Sequence, residues 1–284
     1  MLRDVYTPVA IDGGLASELE ARGHDLSGAL WSARILRDAP EEIVAVHRSY
    51  IDAGAKVITS ASYQASRVGL GDDADALLQL SVRLARDAVQ DDDVFVAASV
   101  GPYGAVLGDG SEYRGNYDIT RDELRCFHAQ RLEVLLNASP DLLAIETIPD
   151  LVEAEVLVEL LIALGRPEAW ISFSATQGGT VCAGQPFGEA AKVAGEAVAA
   201  VGVNCTAPEH ITGLLALIPD GIPAVVYPNA GQVWDGAAEV WRGEPTFDVK
   251  LVDEWSHRAM FIGGCCGVGP EGIAQIATRL QPST

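Results

Sequence analysis

Met260-Phe261-Ile262-Gly263-Gly264-Cys265-Cys266-Gly267 is an apolar run that halts on paired glycines and then on two adjacent cysteines. A short, wholly apolar run fits a strand buried on both faces of a parallel sheet, and Pro270 stands where a helix would open. Adjacent cysteines rarely reach disulfide geometry without strain. Together they suit one soft metal ion, provided a third ligand arrives from elsewhere. Val201-Gly202-Val203-Asn204-Cys205 offers it: another apolar run, a cysteine just past its end, and Pro208 opening the next helix. Three thiolates and one open position make the ligand set of a catalytic zinc site rather than a closed structural one. The competing reading is that Cys265 and Cys266 are ordinary small core residues. That reading leaves unexplained why Cys205 occupies the same place in its own unit.

The same unit recurs along the chain. Apolar strands are expected at residues 7–11, 56–59, 94–100, 142–145, 170–174, 201–204, 224–227 and 260–262, each followed by a helical pattern. Pro40, with Glu41 and Glu42 behind it, opens one helix, residues 73–89 form another, and Thr120-Arg121-Asp122-Glu123 fits a capping box. Further helices are expected at residues 151–164, up to residue 199, and from about 248 to 258. The stretch from Gly14 to Trp31 reads as irregular, and two connections are long, residues 101–120 and the loop carrying Trp234 and Trp241. Long loops in a compact domain usually serve function. Eight strand–helix units of roughly 35 residues each define an α/β chain, a (β/α)8 barrel, as one domain over residues 1–284. The doubly wound alternative lacks a dinucleotide GxGxxG turn after the first strand.

A formal net charge of −21 argues against nucleic acid and anionic membrane surfaces as partners. No apolar run reaches the ~18 residues of a membrane span, and no charged-then-apolar leader is evident. Five cysteines are an odd number and form no disulfide framework. Cys126 falls in a helical pattern and Cys182 in a glycine-rich loop, so neither joins the cluster. A cytoplasmic, reducing location is expected.

Barrel enzymes carry their reactive residues at the C-terminal ends of the strands. Here those ends read Asp12, Tyr63, Tyr103, Glu146, Cys205, Asn229, Cys265 and Cys266. Asp12 and Glu146 either cap the following elements or recognise a substrate ammonium group. Asn204 either holds loop backbone or orients the neighbouring thiolate. The five histidines, His24, His47, His128, His210 and His257, fall away from strand ends and read as solvated or capping residues. Residues 267–272, before the last helix, suit a phosphate or a carboxylate at a helix N-terminus.

Asp12-Gly13-Gly14, Asn204-Cys205 and Gly263-Gly264-Cys265-Cys266 together resemble the zinc-dependent homocysteine S-methyltransferases. The branch using S-methylmethionine or S-adenosylmethionine is closer still. It resembles the chain at Leu30-Trp31-Ser32-Ala33, Ala61-Ser62-Tyr63-Gln64-Ala65, Ser99-Val100-Gly101-Pro102-Tyr103-Gly104-Ala105 and Asp109-Gly110-Ser111-Glu112-Tyr113-Arg114-Gly115, with Val226-Tyr227-Pro228-Asn229 beyond. The resemblance implies zinc on Cys205, Cys265 and Cys266, and homocysteine held with help from Asp12 and Glu146. Gly13 and Asn204 join the substrate-binding set. Tyr63, Tyr103 and Trp31 are expected either to face a cationic sulfonium donor or to pack, and Glu112 and Tyr113 lie near the same mouth. The implied reaction is methyl transfer from the sulfonium to homocysteine, giving methionine. Two alternatives stand beside it: a betaine-type methyltransferase on the same scaffold, and a non-catalytic zinc or redox thiol protein.

Overall fold

The computed structural model describes residues 7–26, 31–235 and 240–281. The strands are β1 (Val9–Ala10), β2 (Val57–Thr59), β3 (Phe95–Val100), β4 (Leu142–Ile148), β5 (Ala169–Phe173), β6 (Ala200–Asn204), β7 (Ala224–Tyr227), β8 (Val233–Asp235), β9 (Val240–Arg242) and β10 (Ala259–Ile262). The helices are α1 (Leu15–Ala21), α2 (Trp31–Asp38), α3 (Pro40–Asp52), α4 (Arg67–Leu70), α5 (Ala74–Val89), α6 (Gly104–Leu107), α7 (Arg121–Asn137), α8 (Leu151–Ala163), α9 (Phe187–Ala194), α10 (Pro208–Leu215), α11 (Leu251–Trp255) and α12 (Pro270–Leu280).

Eight strands pair in parallel in the order β1-β10-β7-β6-β5-β4-β3-β2, and β8 and β9 form a separate antiparallel pair. A parallel bridge between Ile11 and Val57 joins the two ends of the sheet. There the Lys56 amide donates to the Ala10 carbonyl at 2.8 Å and the Asp12 amide to the Val57 carbonyl at 3.0 Å. Closure leaves the sheet no edge to pair with another chain. The expected (β/α)8 barrel is the fold.

Two apolar cores follow from strands buried on both faces. Inside the barrel, Ile11, Val57, Leu142, Val225 and Phe261 pack with the small Ala97, Ala144 and Ala200 around a fully buried Trp170. Outside it, Ala98, Leu143, Ile145 and Val203 meet helix residues such as Leu78, Leu132 and Leu157. No helix among the described residues is long and apolar enough to cross a membrane.

Several boundaries depart from expectation. α1 forms inside the stretch read as irregular, its Gly14 cap making no side-chain bond. The loop after β7 contains the β8–β9 hairpin, with Trp234 opposite Trp241 in register. α9 stops at Ala194, where Gly195 follows, and α11 is confined to Leu251–Trp255. β4 runs on to Ile148 and is buried at every position. That extension carries the chain past Glu146 and matters for the site.

Candidate metal centre

The three thiols meet at the C-terminal mouth of the barrel. β6 delivers Cys205 directly, and β10 delivers Cys265 and Cys266 after the two glycines. The Sγ separations are 3.0 Å for Cys205–Cys265, 3.5 Å for Cys205–Cys266 and 4.0 Å for Cys265–Cys266. None is a disulfide. The end of β7 pins both segments: the Cys205 amide donates to Tyr227 at 3.1 Å and the Cys265 amide to Pro228 at 2.7 Å. Ala230 in turn donates to the Cys266 carbonyl at 2.8 Å. The first strand end makes room for this turn. A Cβ on Gly13 would lie 2.3 Å from the Val268 carbonyl oxygen, and one on Gly14 would lie 2.6 Å from that of Cys265.

Tetrahedral zinc–thiolate bonds of about 2.3 Å set their sulfurs about 3.8 Å apart. The separations here bracket that value, so the thiols fit a metal ion with modest adjustment. Among the described residues no other group of three His, Cys, Asp or Glu side chains is so arranged. Hydrogen bonds from Cys265 and Cys266 hold the Cys205 thiol well below the usual range, and those same bonds push both donors up. The Tyr113 hydroxyl lies 3.3 Å from the Cys205 sulfur.

Two carboxylates share the mouth. Asp12 Oδ2 accepts from the Thr59 amide at 2.6 Å and from its hydroxyl at 2.9 Å. Glu146 accepts from the hydroxyls of Ser99 and Tyr227. Burial pushes Asp12 up to about 8 and Glu146 to about 7. Neither forms an ion pair among the described residues, and the Glu146 charge adds to the rise of Asp12. Glu112 is a third such group: burial raises it to about 7, and its Oε2 is buried without a hydrogen-bond partner. Buried acids without a cation favour an incoming one, because an ammonium or sulfonium restores their ionised form.

The other expected site residues fall in different places. Tyr63 is half-buried and its hydroxyl bonds Thr147. Tyr103 packs edge-on against Tyr117 and Phe127, at centroid distances of 5.5 and 5.1 Å, so its ring belongs to the wall. Trp31 opens α2, and its side chain lies outside the described residues. Asn204, expected in the substrate-binding set, lies behind the mouth. It is fully buried, and its amide is occupied by Thr147 and Ser172. The histidines need a partial correction: His47 and His128 are buried rather than solvated, His128 bonding Glu153 at 2.8 Å. Neither joins the thiols.

Sequence reasoning missed Ser99, Thr147 and Arg131. Arg131 is fully buried on α7 and donates to the carbonyls of Gly101 at 2.8 Å, Tyr63 at 2.9 Å and Ser62 at 3.3 Å. It thereby ties down the ends of β2 and β3. The signal was available, since Leu124, Phe127, His128, Arg131, Leu132 and Leu135 lie at helical spacing on one buried face.

A parallel barrel carrying three clustered thiols and buried acids at the C-terminal ends of its strands defines an enzyme scaffold whose thiols could hold a metal ion. The family profile described as Homocysteine S-methyltransferase matches residues 9–280. Homocysteine S-methyltransferase 1 of Zea mays is 42% identical over 306 residues, covering 96% of this chain and 94% of that protein. Homocysteine S-methyltransferase of Escherichia coli is 41% identical over 300 residues, covering 98% and 97%. The crystal structure of the homocysteine methyltransferase MmuM from Escherichia coli, metallated form, superposes with a TM-score of 0.86 at 38% identity, covering 98% of each chain. The chain belongs to the homocysteine S-methyltransferase family.

Proposed function

We propose that the chain transfers a methyl group from a small sulfonium, S-methylmethionine in the first place, to the thiolate of homocysteine, giving methionine. The observation that carries this reading is the trio of Cys205, Cys265 and Cys266 facing buried Asp12 and Glu146 at one barrel mouth. Zinc is the metal we assign to the three thiols, on the softness of the donor set. Cys205, Cys265 and Cys266 would hold the ion, which would keep a coordinated thiol deprotonated at neutral pH, where a free thiol of pKa ~8.5 is mostly protonated.

The chain's own residues then bind and align. Asp12 and Glu146 take the homocysteine ammonium, which compensates their burial. Glu112, with its unpartnered carboxylate oxygen, and the nearby Tyr63 and Tyr113 line the donor side, where a cation gains from a carboxylate and from aromatic faces. In the transfer the sulfonium's carbon–sulfur bond breaks, its electron pair leaving on a neutral thioether, and a new carbon–sulfur bond forms to homocysteine. The thiol proton goes to solvent, so no general base is required. Alignment of that displacement is worth up to ~7–11 kcal/mol. The whole of residues 1–284 serves as one barrel domain, in the cytoplasm.

The test is initial rate with a panel of donors at saturating homocysteine and full zinc loading, with product identified by mass spectrometry. S-Methylmethionine is expected to be fastest and S-adenosylmethionine slower, with betaine undetectable. An ammonium is intrinsically a poorer methyl donor than a sulfonium. Betaine outpacing both would overturn the donor assignment. Methionine formed from no donor would leave only the thiol protein without catalysis.

A further inference from the structure

β4 carries one residue more than β5 between the pairs Ile145–Ile171 and Ile148–Phe173. The extra residue makes a bulge, and bulges beside active sites re-aim a side chain. Thr147 sits in that bulge with φ of 60°, and it is fully enclosed. A β-branched residue rarely adopts this left-handed conformation, so something must hold it there. Asn204 grips it twice. The Thr147 amide donates to Asn204 Oδ1 at 2.7 Å, and Asn204 Nδ2 donates to the Thr147 hydroxyl at 2.8 Å. The Ser172 hydroxyl donates to the same Oδ1 at 2.8 Å, which fixes which way the amide points. Without these bonds the bulged amide of Thr147 would be a buried donor with no partner, an arrangement proteins avoid.

We infer that Asn204 is a positioning residue that sets the aim of the Glu146 carboxylate by locking Thr147 in the left-handed conformation. Relaxation of Thr147 toward an extended φ turns the peptide joining it to Glu146, and the carboxylate moves away from the hydroxyls of Ser99 and Tyr227. Asn204 also precedes Cys205, itself left-handed at φ 47°. One buried amide therefore ties the strand end bearing the acid to the strand end bearing the thiol. This fixes the spacing between the place for the amino group of the acceptor and the place for its sulfur. The inference rests on the reading that Glu146 binds the homocysteine ammonium.

The experiment compares Asn204→Ala, Asn204→Ala/Thr147→Gly and Glu146→Gln in the zinc-loaded chain. It measures metal content, kcat, and KM for homocysteine and donor separately. Asn204→Ala is expected to raise the homocysteine KM about tenfold to a hundredfold, the cost of a misaimed Glu146 losing its charge-assisted hydrogen bond to the ammonium. Metal content and donor KM should stay near the parent's. Adding Thr147→Gly should recover most of that loss, because glycine takes the left-handed conformation without a clamp. A double variant no better than Asn204→Ala would mean the asparagine only fills space, and would overturn the inference. Should Asn204→Ala fail to fold, Asn204→Asp keeps the Oδ1 acceptor for the Thr147 amide and replaces the Nδ2 donor by an oxygen that cannot donate to the hydroxyl. Its smaller rise in homocysteine KM must likewise be relieved by Thr147→Gly, or the inference falls. Glu146→Gln separates the two readings. An unchanged homocysteine KM there removes the acceptor assignment and the clamp together. A raised one beside a silent Asn204→Ala removes the clamp alone.

Discussion

The Cys205 sulfur lies 3.3 Å from the Tyr113 hydroxyl of the loop above and within 3.5 Å of both other thiol sulfurs. Its replacement therefore separates metal chemistry from folding. Cys205→Ala removes one of three sulfurs from a loop residue, and deleting a single buried atom costs about 1 kcal/mol or less of packing. Bound zinc is expected to fall from about one per chain to a small fraction of that after dialysis, since two thiolates make a poor site. Methionine formation should disappear with it, while the far-ultraviolet circular dichroism and the melting midpoint stay close to the parent's. Metal analysis beside the activity assay checks this, and a fully active, metal-bearing Cys205→Ala protein refutes the assignment. At this scale the cysteines and both carboxylates were legible, because a barrel places its chemistry at strand ends and those ends carry apolar-to-polar transitions. Asn204 was legible only as a neighbour. The bulge it supports has no glycine to announce it, and Thr147 reads only as a residue just past the strand end.

The elements were legible where punctuation is strong. Thr120 and Glu123 form the expected capping box of α7, the Thr120 amide donating to Glu123 Oε2 at 2.9 Å, and prolines open α3, α10 and α12 as read. α1 and the β8–β9 hairpin were missed because neither carries a strong local signal: one is a short helix without a side-chain cap, the other lies in a connection read only as a long loop. The buried face of α7 was missed for a different reason, that charged residues are read as solvated. Arg131 instead spends its guanidinium on three carbonyls at the ends of β2 and β3, over the Phe127 ring at 5.0 Å. Glu153 on α8 complements it, accepting from His128 and from the Tyr103 amide at 2.7 Å. Arg131→Met keeps the volume and orphans all three acceptors, so global stability should drop by about 3–5 kcal/mol. Urea denaturation at neutral pH measures it. A loss under about 1 kcal/mol would show that water replaces the guanidinium freely and that α7 does not hold the mouth.

For the whole molecule, the barrel was legible from eight repeated units and the net charge of −21 from simple counting, but the two do not determine how the fold responds to acid. Charge repulsion alone says that mild acidification relieves the surface and stabilises the chain. A buried base says the opposite. His47 lies on the inner face of α3 at 1% exposure, with neither ring nitrogen hydrogen-bonded, and burial lowers it from 6.5 to about 4. A base whose folded pKa is depressed contributes stability above its unfolded pKa, here above about 6.5, and loses it as pH falls toward about 4. By pH 5 the unfolded chain gains about 2 kcal/mol from protonating this one side chain. That exceeds the fraction of a kilocalorie expected of most individual exposed charges, but the buried carboxyls of Asp12, Glu146 and Glu112, raised to about 8, 7 and 7, take up protons in the folded chain as pH falls and oppose it, so the imidazole is isolated by difference. His47→Met fills similar volume without a proton to accept. Between pH 8 and pH 5 its stability to urea should improve relative to the parent's by about 2 kcal/mol, whichever way the parent itself moves. Parallel pH profiles in the two proteins would show that the buried imidazole contributes no acid sensitivity.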